Sequence, residues 1–360
     1  MKFSIKNLAV TVVALIVVVS LAGCGGSSKT WPSGDRLFFA YLADNSTIPT
    51  PTATPAPHSA LSARARQMTK HAHHAAGPRA NAGVDIQTGT VDVYVWDVAA
   101  ATSVKLNTTS AAYESIVLSA DYKTVYFTAY DSTGYGQVFL ASVTNFNSPT
   151  QLTTGTTESH NTITVSKDGS LIVTGVSTET TEEISLLPSA GGTETLLLPS
   201  GLEYAWYPNI APDNSTIVFE GVVSGGYAGI YSVKKDGSGL TRLTNAAGAN
   251  TSSPNWDWIP SLSPDGTQVS YTRETESGGA ENINVIGIGG ETDSVLSTAL
   301  TTDGYSLQSF HLGDYVAYTS YRDTRTGSGN YQLFQVTPTG TGTTQLTTVD
   351  EAIWFIFFEE

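Results

Sequence analysis

One unit recurs along this chain and limits what it can fold into. The clearest copy reads Ile259-Pro260-Ser261-Leu262-Ser263-Pro264-Asp265-Gly266, then Gln268-Val269-Ser270-Tyr271-Thr272, then Ile283-Asn284-Val285, then Val295-Leu296-Ser297. The copy before it reads Tyr207-Pro208-Asn209-Ile210-Ala211-Pro212-Asp213-Asn214, Thr216-Ile217-Val218-Phe219, Ile230-Tyr231-Ser232-Val233 and Arg242-Leu243-Thr244. Looser copies begin at Ser115, Thr162 and Phe310. Aligned on the turn, they fall at positions 122, 169, 214, 266 and 313, spaced 47, 45, 52 and 47 residues apart. A period of about 40–50 residues with four short strands per unit is the pattern of a β-propeller.

Each strand follows its own logic. The first ends at a turn in which Pro264 suits the second position and Asp265-Gly266 tolerate the required backbone angles. The second and third are β-branched and aromatic. The fourth ends in Leu plus a hydroxyl, as in Leu152-Thr153, Leu243-Thr244 and Leu346-Thr347. Near the start of the chain, Gly34-Asp35-Arg36-Leu37-Phe38-Phe39-Ala40 supplies a turn and a second strand with no first strand ahead of it. Val91–Val95 and Val104–Asn107 continue that blade, and residues 352–358, an unbroken apolar run, form a first strand with nothing after it. Such a run at a free edge invites aggregation. The expected fold is therefore all-β: a six-bladed β-propeller of four-stranded blades over residues 34–358, its ring closed by the C-terminal strand completing the N-terminal blade.

The Ser-Pro-Asp-Gly turn, the Ile-Tyr-x-Val strand and the Asp-Gly-Ser…Leu-Thr hairpin resemble the repeats of the TolB-type β-propeller family. TolB itself is periplasmic, carries an additional N-terminal α/β domain, and binds a lipoprotein through its propeller. No such domain fits between Cys24 and the first strand here, so the resemblance implies the scaffold and leaves the partner open.

Residues 1–23 read as a signal peptide, with Lys2 and Lys6 ahead of the apolar run Leu8–Leu21. The run ends in Leu21-Ala22-Gly23-Cys24, which resembles the lipobox of bacterial lipoproteins. Cys24 is the single cysteine of the chain, so neither a disulfide framework nor a cysteine-based zinc site is available. Lipidation at Cys24 would fix the protein to the membrane through residues 24–33 as a tether. Gly25 in place of an aspartate favours the outer membrane in a Gram-negative cell. Loss of the two signal lysines takes the net charge from −15 to −17, which excludes a nucleic-acid partner.

An insert, residues 44–86, interrupts the first blade with a Pro/Thr-rich stretch and then an Arg/His-rich one. It carries four basic and two acidic residues on an otherwise acidic chain. His71, His73 and His74 are candidate ligands for a labile Zn²⁺, Cu²⁺ or Ni²⁺. The competing expectation is a solvated loop with no metal, and no cofactor is expected elsewhere.

Residues just ahead of each first strand border the channel mouth on the face away from the tether. The candidate binding residues are His160, Glu203, Tyr204, Trp206, Trp256, Asp257, Trp258, Asp303, Tyr305, Asp350 and Glu351. Aromatic faces ringed by carboxylates suit a peptide, a sugar or a cation. The sequence holds no Gly-x-Ser-x-Gly, His-Glu-x-x-His or phosphate-cradling glycine loop, so catalysis is not expected. The expected function is a monomeric, non-catalytic, lipid-anchored scaffold of the cell envelope that binds a protein or peptide partner. A glycan-binding or small-ligand lipoprotein is the alternative, and a hydrolase or lyase using rim carboxylates is a further one.

Overall fold

The computed structural model describes residues 36–42, 91–97, 102–105, 113–121, 123–142, 145–178, 181–223, 228–244, 255–275, 280–290, 298–299, 301, 306–312, 315–320, 332–345 and 355–357. These residues are strands and turns, with no helix among them. The signal segment, Cys24, the tether, the insert with His71, His73 and His74, and Asp303, Tyr305, Asp350 and Glu351 lie outside the described residues.

The strands follow one another in groups. The first group holds β1 (Arg36–Leu42), β2 (Val91–Asp97) and β3 (Thr102–Lys105), and the second β4 (Tyr113–Leu118), β5 (Thr124–Tyr130), β6 (Gly136–Ser142) and β7 (Asn145–Gln151). The third holds β8 (Ser159–Val165), β9 (Leu171–Ser177), β10 (Glu182–Pro188) and β11 (Thr195–Leu197). The fourth holds β12 (Tyr204–Ile210), β13 (Thr216–Val222), β14 (Gly229–Lys234) and β15 (Thr241–Arg242). The fifth holds β16 (Asn255–Leu262), β17 (Gln268–Thr275), β18 (Ala280–Gly287) and β19 (Thr298–Ala299). The sixth holds β20 (Ser306–Leu312), β21 (Tyr315–Ser320), β22 (Gln332–Val336) and β23 (Thr344–Gln345), and β24 (Phe355–Phe357) follows.

Within each group the strands run up and down, antiparallel to their neighbours. The third and fourth groups form one eight-stranded sheet through a single parallel pair, Glu182 with Tyr204. Strand β24 pairs antiparallel with β1, setting Phe357 opposite Phe38 and Phe355 opposite Ala40. Residues from the two ends of the described chain thus share one four-stranded sheet, in the order β24-β1-β2-β3.

The core lies between neighbouring groups. Val117, Tyr126 and Val138 of the second pack on Ile163, Ile172 and Leu187 of the third. Val173, Ile184 and Leu186 of the third meet Ala205, Ile217 and Phe219 of the fourth. Val218, Ile230 and Leu243 meet Val269, Tyr271 and Ile286 of the fifth, whose Ile283 and Val285 meet Val316, Tyr318 and Phe334 of the sixth. A sheet buried on both faces explains why second strands such as β9 and β13 are apolar runs and do not alternate with polar residues.

The repeated turn is held by its own side chains. Ser166 and Ser263 donate to Asp168 and Asp265 at 2.6 and 2.7 Å, and each serine also accepts the N–H that reopens the hairpin at 2.9 Å. Gly169 and Gly266 take φ of 69° and 70°, where a side chain would be strained. Those hydrogen bonds hold both aspartates down to about 2. The recurring threonine has an equally local cause. Thr153, Thr244 and Thr301 accept the N–H of Val138, Ile230 and Ile283 at 2.9, 3.0 and 2.9 Å, satisfying a third-strand donor where the short fourth strand has ended.

Candidate binding site at the start of the first strands

Strands β8, β12, β16 and β20 share a defect. Their pairing to the second strand slips once, between His160 and Ile163, Trp206 and Asn209, Trp258 and Ser261, and Ser306 and Ser309. In two adjacent groups the slip carries strain: Tyr207 and Ile259 sit at φ 47° and 48°, each just before a proline. A β-branched residue in that region is an outlier, at a cost of about 1–3 kcal/mol. Bulges re-aim side chains, and Trp206 and Trp258 stand immediately ahead of these two. Asn209 braces the pair by donating to the Pro260 carbonyl at 2.9 Å.

Around these bulges the structure gathers part of the expected rim. Tyr204 and Trp206 stack with ring centroids 5.2 Å apart and planes 3° from parallel. Trp206 and Trp256, each half-buried, pack on the cluster of Tyr204, Val222 and Ala228, so the aromatic residues of the fourth and fifth groups meet. The Trp258 indole nitrogen is enclosed and has no hydrogen-bond partner among the described residues. Glu203 is half-buried beside them, its N–H donating to the Val222 carbonyl at 2.7 Å.

Two expected residues are enclosed. Asp257 is 0% exposed, and Arg273 grips its carboxylate at both oxygens, Nε at 2.7 Å and Nη2 at 2.9 Å. His160 is likewise 0% exposed, its ring against Thr174. Burial lowers its pKa to about 4 and leaves it neutral.

The structure adds three residues that a reading of strand starts does not reach. Glu220 faces Trp206 across the β12–β13 pair and accepts the Ile259 N–H at 3.4 Å. Burial, helped by the nearby Asp257 anion, pushes its pKa up to about 8. Glu182 takes hydrogen bonds from Ser177 and Trp206, yet burial raises it to about 7. Arg273 is the third. Glu220 interrupts the apolar run Ile217-Val218-Phe219, and that interruption is the one signal the sequence offered; Glu182, beside Glu183 at the start of β10, and Arg273, beside Glu274, carry none. The site is therefore an indole and phenol platform over two carboxyls that hold protons near neutral pH, beside one locked ion pair. It can stack on rings and donate from neutral carboxyls.

A folded-state pKa above the unfolded value means the native state holds the proton more tightly. Glu220 therefore adds stability below pH 4.5, and that contribution is lost as pH rises to about 8. Chemical denaturation of Glu220→Gln at pH 5 and pH 8 should show a stability change smaller than wild type by roughly 3 kcal/mol. Identical slopes would place the proton elsewhere.

The fold is similar to that of TolB-like β-propellers. A TolB-type protein of Agrobacterium tumefaciens is similar at 21% identity and a TM-score of 0.53, over 71% of this chain and 85% of that one. TolB of Acinetobacter baumannii is similar at 16% identity and a TM-score of 0.55, over 69% of this chain and 58% of that one. An oligogalacturonate lyase of Vibrio parahaemolyticus is similar at 11% identity and a TM-score of 0.52, over 71% of this chain and 70% of that one. At these identities the likeness establishes the fold alone. No family model matches the chain, and no curated protein matches it.

Proposed function

We propose that this chain is a lipid-anchored, monomeric protein of the bacterial cell envelope, held in the outer membrane through Cys24, and without catalytic activity. In this reading it is a six-bladed propeller, closed where β24 meets β1, that binds a protein or peptide partner where its first strands begin. The observation that carries the reading is the Tyr204–Trp206 stack with Trp256 against it and Trp258 beside it, built on two strained bulges. Half-buried aromatic residues supply much of the energy at protein interfaces. The apolar leader ending in Leu21-Ala22-Gly23-Cys24 supports the anchor. A partner should co-purify with the full chain from detergent extracts, persist with Asp168→Ala in the opposite turns, and fall at least tenfold with Trp258→Ala. Equal recovery with both variants would remove the aromatic face from the interaction.

A second reading, a glycan-binding or small-ligand lipoprotein, draws on Glu182 and Glu220. Neutral carboxyls beside indoles donate to and accept from hydroxyl groups, as sugar recognition requires. Two of the similar structures are oligogalacturonate lyases, one of them in complex with manganese. That activity is theirs, and the fold does not transfer it. Saturable quenching of tryptophan fluorescence by oligosaccharides, abolished in Trp206→Ala, would favour this reading over the first.

A further inference from the structure

A separate cluster lies on the face of the third group that packs against the second. His160 contributes a fully buried imidazole whose Nδ1 is 3.0 Å from the buried hydroxyl of Thr174. Its Nε2 stands 3.8 Å from Oε1 of Glu194, just ahead of β11, and neither atom has a hydrogen-bond partner among the described residues. Glu158 arrives from the loop that leaves the second group, and the three ligand atoms lie within 4.8 Å of one another. The loop makes room for it: a Cβ on Gly155 would sit 2.5 Å from the Glu158 Oε1.

Consider the ring with its Nδ1–H given to Thr174. Nε2 then presents a lone pair to a carboxylate oxygen, which is also an acceptor. Two enclosed acceptors facing each other are unfavourable unless a cation lies between them.

We propose that Glu158, His160 and Glu194 bind one divalent transition-metal ion, Zn²⁺ by preference, which ties the loop from the second group to the strands of the third. One imidazole and two carboxylates suit Zn²⁺, whereas Ca²⁺ and Mg²⁺ take oxygen ligands. Ligands about 2.0–2.1 Å from a tetrahedral ion stand roughly 3.3 Å apart. Closing on the ion thus draws Nε2 and Oε1 together by about 0.5 Å, within reach of the half-buried glutamate side chains. The Thr174 hydroxyl, which can accept the Nδ1–H, holds the ring plane, as a hydrogen-bond partner behind a metal-ligating histidine does. Three protein ligands leave a fourth position open to water.

The test uses the full chain in detergent with His58, His71, His73 and His74 changed to alanine, so that the insert contributes no imidazole. After stripping with EDTA, the protein is titrated with ZnCl₂ by calorimetry, and bound zinc is counted after gel filtration. The expected result is one zinc per chain and a thermal midpoint that rises with zinc but not with CaCl₂. Glu194→Gln, which keeps the shape of the site, should weaken zinc at least 30-fold, and Gly155→Ala should weaken it by displacing Glu158. CoCl₂ in place of zinc should give visible absorption bands that Glu194→Gln removes. Zinc bound equally well by Glu194→Gln and Gly155→Ala would overturn the proposal, as would no zinc uptake in the parent or equal binding of calcium. His160→Ala gives the largest loss if it folds, and Glu194→Gln decides the matter if it does not.

Discussion

Arg273→Met should destabilise this protein by about 3–5 kcal/mol, the usual cost of stranding one partner of a buried ion pair. Asp257 is 0% exposed, both its oxygens are held by the one guanidinium, and Glu220 stands near it as a second acid. Without Arg273 the Asp257 carboxylate keeps its enclosure and loses its counter-charge. Arg273 also lies 5.3 Å from the centre of the Tyr271 ring, and methionine retains part of that packing. The double variant Asp257→Leu/Arg273→Met should recover most of the loss, because removing both charges also removes the cost of burying them. Denaturant unfolding of the single and double variants reads both outcomes. A single variant within 1 kcal/mol of wild type would mean that water or another group already serves Asp257.

Deleting residues 352–360 should abolish the single cooperative unfolding transition. Strand β24 is the sole neighbour of β1 on that edge, and its pairing joins segments more than three hundred residues apart in sequence. The truncated chain keeps the interfaces that join consecutive groups from the second to the sixth but exposes the hydrogen-bonding edge of β1. Differential scanning calorimetry should show a broad or split transition with aggregation, and a synthetic 352–360 peptide added in trans should sharpen it. A truncated chain that melts in one sharp step at the wild-type temperature would refute the closing role of β24.

These two predictions mark how far the sequence could be read. The turns were legible because Ser263, Asp265 and Gly266 act on one another within four residues, and φ 70° at Gly266 is a local demand. The joining of β24 to β1 was legible from the repeat, which reads a second strand over residues 36–40 and a first strand over residues 352–358. Of the expected strand, residues 352–358, the structure describes Phe355–Phe357, and all three are in strand. The aromatic cluster was legible in part: the repeat aligns Tyr204 with Trp256, but their meeting across two groups depends on packing. The partner of Asp257 was not legible. Arg273 opposes it only because the pairing of β16 with β17 slips after Trp258, and no spacing in the sequence announces that slip. Glu194 was hidden for a similar reason, since it reaches His160 from the far edge of its own sheet.

The central claim, that the protein works by presenting the start of its first strands to a partner, meets its most direct test in living cells. A photo-reactive amino acid placed at Trp258, and as a control at Asp168 in the turns of the opposite face, is activated by light, and adducts are identified by mass. The account predicts a discrete protein adduct from position 258 and none of that mass from position 168. Folded, surface-localised protein that gives no adduct at 258, or the same adduct from both positions, would contradict it.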